Sequence, residues 1–87
     1  MNKELEMFIE NLRGLTSEQL LGVSESIDLK YECLMDMYEE SKEDVITVLV
    51  IHDALEKNHM EREAVNAEMA RRANRLMSAI FDYKDGE

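Results

Sequence analysis

The chain has 87 residues, enough for one hydrophobic core and too few for two that each fold alone. Apolar residues make up 45% and charged residues 34%, a globular rather than disordered balance, and with only three Tyr, two Phe and no Trp the core must be aliphatic with methionine as filler. Twenty Asp and Glu against ten Lys and Arg give a net charge of -10, which argues against direct binding to nucleic acid or an anionic membrane and favours a basic protein surface as partner.

Proline is absent and glycine occurs only as Gly14, Gly22 and Gly86, so the residues that punctuate strands and hairpins are nearly missing. The expected fold class is all-α: one domain over residues 1–87, a small antiparallel bundle of three or four helices completed by oligomerisation. A first helix is predicted over residues 2–13, where Leu5, Phe8, Ile9 and Leu12 recur at helical spacing and Gly14 offers a left-handed stop. Thr16 and Gln19 then fit a capping box, with Leu15 and Leu20 placed as a hydrophobic staple, so a second helix starts at Thr16 or Ser17. Gly22 and Ser24 blur its first turns and allow a later start at Ser24. Its buried stripe is Leu20, Ile27, Tyr31, Leu34 and Tyr38.

Around Glu40 and Asp44 the chain either breaks, with Ser41 as cap and Asp44 at the third helical position, or continues without interruption. Residues 45–51, almost all branched, read as strand by propensity, yet no partner strand exists in the chain; a helix buried on most sides is expected, with a strand paired across a dimer axis as the alternative. Asn58 and His59 mark a boundary before a last helix over residues 60–84, whose seam is Met69, Ala73, Leu76, Ile80 and Tyr83, and the end from Asp85 onward is expected to fray. The single Cys33 cannot close an intrachain disulfide. The first residues carry Glu4, Glu6 and Glu10 in place of a basic start and apolar run, and no segment has membrane-spanning length, so a reducing cytoplasmic location is expected.

The most regular polar pattern is a ridge on the second helix, Glu25, Asp28, Glu32, Asp36, Glu39 and Glu43, at spacings of three, four, four, three and four. Neighbouring like charges at this spacing destabilise a helix by a few tenths of a kcal/mol, so the ridge is either a solvating face or a strip that docks on a basic surface of the kind that binds nucleic acid. Charge is concentrated here: up to Asp44 there are twelve acidic and four basic residues, a net -8, and only -2 thereafter. Beside the ridge, Leu29, Cys33 and Met37 form an apolar flank that, in a chain with seven methionines, is expected to mediate self-association. Arg71, Arg72 and Arg75 are candidate anion contacts, although Glu68 lies one helical turn before the first two.

Two patterns touch on metal chemistry. Glu56 and His59 make one Glu-x-x-His pair, on a face with His52 and Glu63, where a di-iron bundle needs two such pairs. Glu39, Glu40, Glu43 and Asp44 cluster carboxylates as magnesium-dependent helical nucleotide hydrolases do, but the later acidic pair is replaced by Glu56 and His59. With no Gly-rich phosphate loop or nucleophile elbow, neither a catalytic residue nor a cofactor or metal is assigned. The expected function is that of a small regulatory or inhibitory protein acting through a protein partner. The alternatives are an oligomer that sequesters a phosphorylated ligand between subunits, and a carboxylate-based metal or nucleotide hydrolase.

Overall fold

A computed structural model describes residues 3–85, with side chains up to Phe81 and Asp82. The chain forms three helices among these residues, α1 over Lys3–Arg13, α2 over Ser17–Glu40 and α3 over Val45–Asp85. The all-helical class follows from the missing strand breakers, and no helix among the described residues is long and apolar enough to cross a membrane. Asn2, Gly86, Glu87 and the side chain of Tyr83 lie outside the described residues.

The start of α2 is as its local sequence dictates. The Thr16 amide donates to Gln19 Oε1 at 2.9 Å and the Gln19 amide to Thr16 Oγ1 at 3.1 Å, so both arms of the capping box are formed and the helix begins at Ser17 rather than Ser24. Leu15 packs on the cluster that holds Leu20, as a staple requires. Gly14, by contrast, does not adopt the left-handed conformation expected of it. The α1 end closes with three-residue bonds from the Gly14 amide to Asn11 and from the Leu15 amide to Leu12, both 3.2 Å. Arg72 of α3 adds to this end, Nη2 donating to Leu12 O at 2.9 Å as a second donor and to Leu15 O in the α1–α2 turn at 2.7 Å.

The break at residues 41–44 is real, so α2 and α3 are not continuous. Ser41, expected to start the next helix, instead ends α2, its amide bonded to Tyr38 O at 3.2 Å. Asp44 is the residue that caps α3, accepting from the Thr47 amide at 3.3 Å and its hydroxyl at 2.7 Å. The expected boundary at Asn58 and His59 does not exist. Asn58 sits 4% exposed inside α3 and donates from Nδ2 to Ile27 O at 3.1 Å, which occupies the side chain that read as a helix stop.

These contacts set the arrangement. Tyr38 meets His52 edge-on at 6.3 Å, Ile27 meets Asn58, Asp28 meets Arg62 and Ser17 meets Arg72, so α2 runs back along the first two thirds of α3. Glu4 meets Lys57 at 3.5 Å and Leu12 meets Arg72, so α1 follows α3 in the same direction but beside its middle only. The core of Leu12, Leu20, Ile27 and Val65, with Phe8, Val23, Ala64 and Met69 against it, lies where all three helices meet. Residues 45–51 are helical, yet only Ile51 is buried; Val45, Ile46, Leu49 and Val50 are 64–76% exposed, contrary to the expectation of burial on most sides. Among the described residues α1 does not reach that end, and α2 covers one side of it only. Tyr31, expected in the buried stripe, is exposed for the same reason. At the other end α3 continues for about 20 Å beyond Arg72 without a neighbour among the described residues, giving extents of 65 × 25 × 18 Å.

Candidate protein-binding surface

Five members of the acidic ridge, Glu25, Asp28, Glu32, Asp36 and Glu39, lie on α2, whereas Glu43, expected on the same helix, falls in the turn after its end at Glu40; all six are exposed. They are not equivalent. Asp28 pairs with Arg62 of α3, and Glu39 pairs with Lys42 at 2.8 Å, a contact that also raises the Lys42 ammonium above its ordinary pKa through hydrogen bonding and charge. Glu25, Glu32 and Asp36 have no ion-pair partner among the described residues, and neither does Glu43 in the turn. The central part of the ridge is therefore a row of unneutralised carboxylates on a rigid helix.

Leu29 and Met37 stand 63% and 49% exposed beside this row, with Cys33 exposed between them. Behind them opens a groove of about 490 Å³ between α2 and α3, lined by Ser26, Leu29, Cys33, Leu34, Ala54 and Asn58 among others. It exists because α1 fills the same inter-helix furrow only lower down. Carboxylates at a rim and apolar side chains beside them are the makings of a binding surface: the apolar part supplies burial, the charges orientation and approach rate.

The remaining candidate positions fall elsewhere. Arg71 and Arg72 converge on Glu68, whose side chain is 6% exposed, with bonds of 2.7 to 3.0 Å. The two guanidiniums hold its carboxyl down at a pKa of about 2, chiefly by hydrogen bonding. Arg72 also reaches Ser17 Oγ at 3.4 Å besides its two carbonyls, so its donors serve the fold, and Arg75 alone of the cluster has no ion-pair partner among the described residues. The capping and clamping role of Arg72 was not legible in sequence, because Leu12 and Ser17 lie more than fifty positions away.

His59 pairs with Glu63 at 3.2 Å while His52 faces Tyr38, and among the described residues no three His, Cys, Asp or Glu side chains converge as metal ligands would. The carboxylates of residues 39–44 surround the α2–α3 turn, where hydrogen bonds from the Thr47 hydroxyl and amide hold the Asp44 carboxyl below its ordinary pKa. Asp44 and Glu39 thus have structural partners already. Comparison with known protein families, with curated proteins and with solved structures finds no match to this chain.

Proposed function

We propose that the protein is a small cytoplasmic regulator or inhibitor that acts by binding a protein partner, through the α2 ridge and its apolar flank. The observation that carries this reading is the row Glu25, Glu32 and Asp36, exposed and without ion pairs, next to exposed Leu29, Cys33 and Met37. A partner with Lys and Arg at carboxylate spacing and an apolar patch beside them fits it, and such basic surfaces commonly hold nucleic acid. The flank was expected to join copies of this chain. Self-association there would bring two ridges together at high local negative charge, so the flank is better assigned to the basic partner.

The test is a triple variant, Glu25→Gln, Glu32→Gln and Asp36→Asn. It removes repulsion along α2, so folding is retained and far-ultraviolet circular dichroism stays unchanged. A partner recovered from native cytosol should bind the variant more slowly and with a flatter dependence on salt, since exposed interface charge acts through association rate. Unchanged affinity and salt dependence would assign the ridge to solvation alone.

A further inference from the structure

We infer that a second copy of the chain docks antiparallel along the outer face of α3, with Val45 and Leu49 of each copy packed on Phe81 and Met77 of the other. This pairing is independent of the ridge and leaves α2 free.

The inference starts from helix geometry. At 3.6 residues per turn, Val45 and Phe81 lie a whole number of turns apart, and the line joining them passes through or beside Leu49, His52, Glu56, His59, Glu63, Ala67, Ala70, Asn74 and Met77. Every one of these side chains is exposed: up to Ala70 the line lies opposite the helices packed on α3, and Asn74, Met77 and Phe81 stand on the end that overruns them. The line is apolar at both ends and polar in the middle. Val45 is 69% exposed, Leu49 64%, Met77 50% and Phe81 58%, and Ile46, Val50, Leu76 and Ile80 widen these into an exposed apolar patch at each end, of the kind that marks a contact surface.

A two-fold axis at Glu63 converts that pattern into complementarity. It sets Val45 against the second copy's Phe81, Leu49 against its Met77, His52 against its Asn74, Glu56 against its Ala70 and His59 against its Ala67. Apolar meets apolar at both ends, His52 meets Asn74, and Glu56 and His59 meet alanine, which leaves them room; at the axis Glu63 faces its own copy. A slide of one turn halves the apolar pairing: one way Phe81 passes beyond the start of the partner helix and only Met77 stays on Val45, the other way Phe81 meets Leu49 while Met77 meets His52, so the matched register is favoured. Charge opposes this face less than it opposes α2. Its only acids are Glu56 and Glu63; the axis sets Glu63 against its own copy, a single like-charge contact with His59 3.2 Å away, whereas a copy approaching α2 would meet the whole ridge of a chain carrying -10. The contact line is about 54 Å long, enough to cover both uncovered ends of α3 at once.

The experiment uses the full chain in a Cys33→Ser background. Sedimentation or light scattering is expected to show a dimer at tens of micromolar. Leu49→Glu, a change at an exposed site that should leave helicity intact, is expected to weaken the dimer by at least about tenfold, since symmetry removes the side chain twice. Glu63→Cys alone should form a covalent dimer under mild oxidation, because the axis brings the two positions together, and a mixture of Leu49→Cys with Met77→Cys should cross-link to each other in preference to themselves. A monomer at these concentrations overturns the inference. So does a dimer that cross-links through Leu29→Cys but not Glu63→Cys, or one in which Leu49→Cys pairs with itself, as a parallel arrangement requires.

Discussion

Arg72 ties the end of α1, the start of α2 and the middle of α3 through Leu12, Leu15, Ser17 and Glu68. Arg72→Ala leaves Leu15 O without this donor, Leu12 O with only the Leu15 amide and Glu68 with one guanidinium fewer, and should lower stability by about 2 kcal/mol in chemical denaturation. The same clamp makes the fold acid-sensitive in a defined window. The Glu68 carboxyl is held at about 2 against an ordinary 4.5, so the stability it contributes is fully present above that ordinary value and declines as pH falls toward 2. Comparing thermal midpoints of wild type and Glu68→Gln between pH 6 and pH 2 should show the two converging as acidity rises.

Two glycines at the same scale behave differently from the rule for helix ends. Gly14 has an ordinary backbone conformation, and an added Cβ would meet only Asn11 O at 3.7 Å, so Gly14→Ala should be tolerated where a left-handed glycine would not allow it. Gly22 lies inside α2 with open space around it. Gly22→Ala should therefore stabilise by about 1 kcal/mol and raise the melting temperature by roughly 4–8 °C.

Among the elements, α2 shows how much local chemistry decides. Thr16 and Gln19 sit three residues apart and satisfy each other's neighbouring amides, so the helix start was legible before any tertiary contact was known. Thr16→Ala should cost about 1 kcal/mol, measured by denaturant titration, and a later start at Ser24 would have left it neutral. α3 shows the limit of the same reasoning. Asn58 reads as a stop because asparagine competes for backbone hydrogen bonds at helix ends, but its side chain is committed to Ile27 O, thirty-one positions away in sequence. Residues 45–51 carry strand propensity, and the Asp44 cap together with the lack of a partner strand turns them into the first turns of a helix instead.

At the scale of the whole molecule two mismatches of length matter: α1 is too short to reach the start of α3, which leaves that end and the α2–α3 groove open, and α3 overruns the α1–α2 turn at Arg72, which leaves its far end uncovered among the described residues. Stability should be correspondingly uneven. In a monomeric variant, backbone amides of residues 73–81 should exchange with solvent much faster than those of residues 58–69, which are clasped by both other helices; equal protection at both places would mean that α3 derives its order from its own hydrogen bonds alone. In wild type, association along α3 should slow exchange at the free end as concentration rises.

The helical class, the α2 capping box, the acidic ridge and its apolar neighbours were all present in the sequence, because each depends on residue type and spacing within a few turns of one helix. Which ridge carboxylates are neutralised was not, since Asp28 finds Arg62 across the hairpin while Glu32 and Asp36 find no such cation. Nor was the spending of Arg72 on the fold, the burial of Asn58, or the exposure of Val45, Ile46, Leu49 and Val50. Those outcomes belong to the tertiary structure, because a side chain's partner or cover is supplied by whatever the packing of helices brings beside it, and that packing is set by relative helix length and alignment rather than by the residue's own neighbours in the chain.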